Sequence, residues 1–580
     1  EPQKRTNETV IILEYCSGRS VQDALAKPHN SQGLPHQDWL LLFDNVTRGL
    51  THLMRHDVIH RDVKPGNILI SVNGCGENVY KLTDFGTAKQ LEEGEEHFTS
   101  LCGTEEYLHP KMHMGAFVKR IPRTFDRSVD TWGFAATLYQ AATGKLPFLP
   151  SMGVRQDKAC MQMLMADRGP RDISAHEMED GTVVRKQHLP RNAPLLPGTR
   201  KPVEQFLVRM MDQYQLIDVP TLYSDITTFC ERLCVYVFVV HLNDLVCVHL
   251  EGSVTVPALR TAINQAVWDN EAVTQDILLL ILDNGVLTKF PETGTMIRVR
   301  TSPEKPFFAV LTKNGSILAD TFIMSEDDIP IMVTPPRDGR DVYFVKTWAE
   351  QTCADLAVCE NRAVKLYQTQ KHLLTLKGVL RNMFTERMHE VSLALSSFEL
   401  CAGGNRAILE ALNHHTLICE HGPEMHAALD KVHLLRSNQL ATNRRFLAIQ
   451  KDHMECMRTP APRTCDLDEC HMSISRRLAD ICLPGLTEMR EWNEAPVLQH
   501  NEKEMTRLRL SQMKHAFCDA RQKVLNHCIP NTKDLFDDVH NFSHMVMKCM
   551  KDLKDIMDEL HAAIDHQKQC HKKLCDSLTN

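Results

Sequence analysis

The chain has 580 residues, 43% hydrophobic and 24% charged, with a net charge of -8 at pH 7. That is the composition of a globular chain too long for one core, and domain sizes of the usual range suggest about three. No basic block of the kind a nucleic-acid binder concentrates on one face is present, so a nucleic-acid partner is not expected.

The 20 Cys are scattered and no secretory signal opens the chain, which points to reduced thiols and a cytoplasmic setting. The best candidate for a membrane span, Val235 to Leu250, is interrupted by His241, Asn243 and Asp244, so no span is expected. Glu1, not Met, opens the chain, and a buried-strand pattern follows within a few residues; a missing N-terminus is expected.

In chain order, Val10-Ile11-Ile12-Leu13 reads as a short strand. Val21 to Leu25 and Trp39 to Leu53 carry helical spacing, separated by turn residues from Pro28 to Pro35. From Asp57 to Phe85 short apolar runs are joined by Gly, Asn and Pro, the texture of a loop-and-hairpin site. Helical segments follow to about Cys230. Two β-rich runs (Val235–Val240, Leu245–Leu250), a helical stretch near Val256–Val267, and strands at Ile277–Leu282 and Phe307–Leu311 then predict a small ββαββ domain. Pro330–Asp341 reads as a linker. Beyond Val342 the pattern is nearly all helical, with Leu366, Leu373 and Leu380 every seventh residue and Leu376 and Met383 between them. Two readings stay open there: a bundle filling its own core, or a long helical hairpin that also pairs with a second chain.

The chemistry is concentrated in His60-Arg61-Asp62-Val63-Lys64-Pro65-Gly66-Asn67, followed by Asp84-Phe85-Gly86. Phosphoryl transfer asks for a positioned hydroxyl and for cations that offset developing charge. Asp62 can accept the hydroxyl proton, Lys64 sets a positive charge at the transferring group, and Asn67 and Asp84 offer hard oxygen ligands for Mg²⁺. A Lys two residues after the Asp is typical of serine/threonine kinases. Asp130-Thr131-Trp132-Gly133 resembles the buried motif with which kinases brace the catalytic loop. Glu14 and Cys16 lie where a hinge would offer backbone groups to the adenine of ATP, with Leu69 beneath the ring and Thr83 just before the metal-binding Asp. Gly74-Cys75-Gly76-Glu77-Asn78-Val79 imitates a phosphate loop, but its place between catalytic loop and metal Asp marks it as a turn between strands.

Gly103-Thr104-Glu105-Glu106-Tyr107-Leu108-His109-Pro110 and Ala142-Thr143-Gly144-Lys145-Leu146-Pro147-Phe148 carry the resemblance further. Both stretches are similar to those of the IκB-kinase-related serine/threonine kinases, the TANK-binding kinase and IKK-epsilon type. The resemblance implies a multidomain α+β chain: a kinase domain lacking most of its N-lobe over 1–230, a ubiquitin-like domain over 235–313, and a helical scaffold or coiled-coil dimerisation domain over 342–580. It implies Ser100 as the activating phosphorylation site, with Arg61 as a ready partner for the phosphate. Thr104 becomes a substrate-positioning residue, and Leu282 a candidate docking residue on the ubiquitin-like domain. It also implies ATP and Mg²⁺ as cofactors, transcription factors and adaptors as protein substrates, a homodimer, and a role in innate immune signalling.

Lys111 stands where most kinases place a Glu that pairs with a buried Arg, so that ion pair must be absent or rebuilt. The phosphate loop, strand Lys and partner Glu are not seen ahead of the hinge, so the chain as given is expected to be inactive or nearly so. The rival reading is a binding scaffold built on a degenerate or truncated kinase lobe. Cys465, Cys470 and His471, and separately Cys570, His571 and Cys575, lack the paired spacing of a structural zinc site.

Overall fold

The computed structural model describes residues 12–92, 95, 97–117, 124–212, 218–242, 244–251, 255–267, 276–283, 286–289, 301–313, 316–317, 329–331, 342–413, 444–451, 472–482, 484 and 500–579. Most of the expected linker, the first cysteine cluster near 465–471, and residues 10 and 11 of the expected first strand lie outside these; the described remainder of that strand, Ile12 and Leu13, is irregular and exposed. The side chains of Leu282, Cys570, His571 and Cys575 also lie outside the described residues.

The first region is a helical lobe. Helix α1 (Val21–Leu25) starts at Ser20, whose hydroxyl accepts from the Asp23 N–H while the Asp23 carboxylate accepts from the Ser20 N–H, a reciprocal cap. Helix α2 (His36–Arg55) turns Trp39, Leu42, Phe43, Val46 and Leu50 inward at helical spacing. These pack against α4 (Ser128–Thr143), which is buried along nearly its whole length, Trp132, Phe134 and Tyr139 included. Around them lie α3 (Pro110–Phe117), α5 (Lys158–Ala166), α6 (Arg200–Met210) and α7 (Val219–Cys230).

Short sheets carry the loops of this lobe. Strands β1 (Val58–Ile59) and β4 (Lys89–Gln90) pair antiparallel, as do β2 (Ile68–Val72) and β3 (Asn78–Leu82). The glycine-rich 73–77 segment is the β2–β3 turn: the Asn73 side chain accepts from the N–H groups of Cys75 and Glu77. Strands β5 (Phe148–Leu149), β6 (Ser174–Glu177) and β7 (Val183–Lys186) form a third small sheet.

The second region is a mixed sheet of order β11-β10-β12-β8-β9, from β8 (Leu233–Val239), β9 (Asp244–Leu250), β10 (Asp276–Asp283), β11 (Val286–Lys289) and β12 (Phe307–Lys313), with β13 (Ser316–Ile317) on β12. Helix α8 (Val256–Val267) covers one face through Val256, Leu259 and Ile263. Strand β12 runs parallel to β8, and β8 antiparallel to β9. The extra strand at 286–289 was missed because four residues give too short a periodic run.

The third region is a pair of long helices. Helix α9 (Val342–Asn413) packs along α10 (His500–Lys523), which passes through a π-turn at Val524–Cys528 into α11 (Ile529–Thr579). The Gln370 amide donates to Thr532 Oγ1 at 2.8 Å, and Lys377 pairs with Asp538 at 2.6 Å. The two contacts advance in the same direction along both helices, so α9 and α11 run parallel, unlike the arms of a simple hairpin. The heptad residues Leu366, Leu373, Leu376 and Leu380 are all buried, in cores shared with α10 and α11. The seam that could have bound a second chain is filled from within.

Candidate active site

The catalytic loop is held from below by α4. Both oxygens of the buried Asp130 accept backbone N–H groups, from His60 and Arg61, each at 2.7 Å. Gly133, one turn further, lets the helix press against the loop: a Cβ there would stand 2.8 Å from the Val63 carbonyl oxygen. Arg61 takes a left-handed backbone (φ 68°), which a non-glycine residue adopts only when its surroundings over-determine it. The two hydrogen bonds to Asp130 supply that constraint.

This bend brings four of the expected residues, Asp62, Lys64, Asn67 and Thr104, together. Lys64 Nζ donates to Asp62 Oδ2 at 2.7 Å and to the Thr104 hydroxyl at 2.6 Å. The Asn67 amide donates to the Asp62 carbonyl (2.9 Å) and to its Oδ2 (3.0 Å). Burial would raise the Asp62 carboxyl, but the Lys64 ammonium, the Thr104 hydroxyl and the Asn67 amide together hold it below the usual carboxylate value. The carboxylate is therefore charged at neutral pH, as a proton acceptor must be.

Asp84 is tied to the same loop through its neighbour: the Thr83 N–H donates to the Asn67 carbonyl at 3.0 Å, and His60 Nε2 lies 2.9 Å from the Thr83 carbonyl oxygen. Asp84 itself is left-handed (φ 61°) and exposed, with its carboxylate accepting from the Gly86 N–H at 3.4 Å. The buried Asp62 Oδ1 has no hydrogen-bond partner. Because the Asn67 amide nitrogen is spent on Asp62, its carbonyl oxygen is the atom left for a cation. An orphaned carboxylate oxygen, an amide carbonyl and an exposed carboxylate are the hard oxygen set that Mg²⁺ takes, so the residues present fit the ion.

The hinge-like segment lies beside β2, with the Gly18 N–H on the Ile70 carbonyl (2.9 Å) and the Ile70 N–H on that of Arg19 (2.8 Å). This sets Leu69, half-buried, next to the 12–20 stretch. Cys16 is half-buried, and the Glu14 carboxylate is exposed and engaged by Lys81 at 2.6 Å. Their expected service to adenine is by backbone groups, which leaves that side-chain pairing neutral.

Ser100 lies in the activation segment beside Phe98, which is buried and paired with Phe125. The Arg61 guanidinium stands over the Phe98 ring, 5.4 Å from its centroid, and donates through Nη1 to the Ser100 hydroxyl. The end of that segment is tied to other groups than the usual Glu: Glu105 pairs with Lys158 (2.9 Å) and Glu106 with Arg155 (3.1 Å). These two pairs anchor the end of the segment to α5 and to the loop before it.

Sequence reasoning passed over His60 as a working residue. Fully buried, it bridges the Thr83 carbonyl and the Phe85 ring (5.1 Å), joining the two motifs. Its place directly before Arg61-Asp62 was the available signal.

Residues 3–215 match the family model described as "Protein kinase domain". The mouse inhibitor of nuclear factor kappa-B kinase subunit epsilon is 32% identical over 261 residues, covering 43% of this chain and 36% of that protein. The alpha subunits of Danio rerio and Gallus gallus are 32% and 30% identical over 203 residues, each covering 35% of this chain and 25% of the relative. The chain therefore spans about a third or less of the length of the curated relatives it matches. With the catalytic-loop geometry and these likenesses together, the chain carries a protein kinase domain over residues 3–215 and is similar there to the inhibitor of nuclear factor kappa-B kinase subunits.

Proposed function

We propose that the protein transfers the γ-phosphoryl group of ATP to Ser or Thr hydroxyls of protein substrates. The observation that carries this reading is the convergence of Lys64 and Asn67 on the Asp62 carboxylate, with the Thr104 hydroxyl holding the Lys64 ammonium. Asp62 accepts the proton of the attacking hydroxyl, and Lys64 offsets charge at the transferring group. Thr104 fixes the Lys64 ammonium and lines the approach of the substrate. Asn67 and Asp84 are the proposed ligands of Mg²⁺, which when bound neutralises phosphate charge. Glu14, Cys16, Leu69 and Thr83 are the proposed nucleotide contacts. A phosphate on Ser100 would meet the Arg61 guanidinium already touching that hydroxyl, ordering the activation segment.

The wider assignments are also proposals. The order of sheet and helix in the second region, with β12 parallel to β8, supports a ubiquitin-like domain over 235–313, between a kinase domain over 1–230 and a helical scaffold over 342–580. Homodimerisation through that scaffold must use a face other than the filled seam; Leu393 and Leu400, one heptad apart on α9 and exposed, are candidates. Among the described residues no helix is long and apolar enough to cross a membrane. A cytoplasmic kinase of innate immune signalling, acting on transcription factors and adaptors, is the reading that the motif resemblance at 103–110 and 142–148 implies.

The test is Mg²⁺-dependent transfer of phosphate from ATP to a Ser-containing peptide, measured on the full-length gene product beside its Asp62→Asn counterpart. Transfer that the substitution abolishes supports the reading. Absence of transfer with Ser100 phosphorylated would overturn it in favour of a scaffold.

A further inference from the structure

Where the kinase lobe meets the mixed sheet, three soft donors converge away from the catalytic loop. Cys234 on β8 stands opposite His249 on β9, and Cys247 lies diagonally across the same two strands on the same face. One ligand atom from each of Cys234, Cys247 and His249 can be chosen so that all lie within 4.8 Å of one another. Cys234 Sγ is 3.5 Å from His249 Nδ1. In a tetrahedral zinc site, ordinary Zn–S and Zn–N bond lengths put a sulfur and a nitrogen about 3.6 Å apart.

The two thiols flank the imidazole, and its second nitrogen is already engaged. His249 Nε2 lies 2.8 Å from the Thr199 hydroxyl and 4.0 Å from Cys247 Sγ, and the ring packs on Phe229 with centroids 4.4 Å apart. An outer-shell partner on one ring nitrogen is what orients a ligating histidine and leaves its other nitrogen for the metal. The backbone is held as firmly. The Cys247 N–H donates to the Pro197 carbonyl at 3.0 Å, and a Cβ on Gly198 would sit 2.2 Å from the Cys247 carbonyl oxygen, so only glycine permits this approach. Cys247 is buried, Cys234 and His249 are half-buried, and both thiols are free. Cys230, at the end of α7, stands four residues before Cys234, within the Cys-x₂₋₄-Cys spacing of zinc sites, though outside the cluster of three.

We propose that Cys234, Cys247 and His249 form a zinc site at the seam between the kinase lobe and the sheet, with Cys234 and Cys247 as thiolates and His249 binding through Nδ1. Zn²⁺ takes the place of the two thiol protons, which pass to solvent, and no electron is transferred. Water, or Cys230 after a change of rotamer, fills the fourth position. The site is separate from the catalytic loop and does not depend on the kinase reading. Its role is structural: it staples β8 and β9 together where β9 leans on the 197–199 loop.

The test is the zinc content of the full-length protein, purified without chelator, by inductively coupled plasma mass spectrometry. About one equivalent is expected. It should be lost in Cys234→Ser and in His249→Gln, and retained in Cys75→Ser, which alters an exposed thiol outside the seam. Because a seam variant could fail to fold, Co²⁺ is added to the metal-stripped unmodified protein as a second readout. Intense tetrahedral cobalt bands with thiolate-to-metal charge transfer are expected. Zinc-free protein with no such bands, zinc unchanged in both seam variants, or a Cys234–Cys247 disulfide in freshly purified protein would each overturn the proposal.

Discussion

The catalytic loop and the α9–α11 seam are both buried, yet they are held by opposite means. Around Asp62 a few polar side chains from separate stretches are locked by hydrogen bonds: Asp130 under the backbone, Lys64 and Asn67 on the carboxylate. Along the seam Leu373, Leu376, Phe384 and Val391 meet Leu535, Val539 and Leu553, and polar contacts such as Gln370–Thr532 and Lys377–Asp538 are few beside them. In the first, one misplaced atom spoils the chemistry while the surrounding core persists. In the second, no atom is special, and stability rests on summed burial.

Substitutions that separate rate from stability test this contrast. Asp62→Asn should lower phosphoryl transfer by about 10³-fold or more while leaving the melting temperature nearly unchanged, because proton acceptance is lost and the shape is kept. A drop in melting temperature comparable to that of a core deletion would mean the carboxylate is structural. Leu376→Ala, at a fully buried seam position, should behave in the reverse way. A loss of about 3 kcal/mol is expected for a cavity of that kind, read by denaturant unfolding of the helical region, with peptide phosphorylation by the folded fraction unchanged. A fall in turnover per folded molecule would show that the seam and the catalytic loop are coupled.

Ser100→Ala is expected to cost roughly tenfold or more in activity, since the Arg61 partner then has no phosphate to hold. Equal activity with Ala would hand the switch to another residue, Thr99 first.

The smallest effect is on acid stability. Burial holds His36 down to about 3 and His109 to about 3, both below the value near 6.5 of an unfolded histidine. The unfolded chain therefore binds these protons first. Their contribution is complete above about pH 6.5 and is lost as pH falls toward about 3. A melting temperature lower by roughly a few degrees at pH 5.5 than at pH 7.5 is expected, and His109→Gln should reduce that difference. An unchanged pH dependence would mean that neither ring is kept neutral by the fold.

What could be read in advance follows the same division. Asp62, Lys64, Asn67 and Asp84 stand in one short stretch with fixed spacing, so their pattern stood out without coordinates. The heptad leucines were visible too, because period seven survives over a long helix. The partner they met was not: burial by α11 depends on a parallel arrangement across more than a hundred residues, and amphipathic faces do not encode direction. His60 was missed because its role is a bridge between two motifs. Cys234, Cys247 and His249 were invisible for a related reason, since their neighbourhood arises from strand pairing and not from chain spacing.

Strand β8 serves two masters through its pleat. Val235, Val237 and Val239 enter the core beneath α8, while Phe238 and, just past the strand, Val240 enter the core of the long helices, and Tyr236 reaches Gln37 of the kinase lobe at 2.8 Å. A one-residue slip would exchange every one of these contacts together. Insertions and deletions should therefore be absent from this strand across related genes, even where the flanking loops vary freely in length.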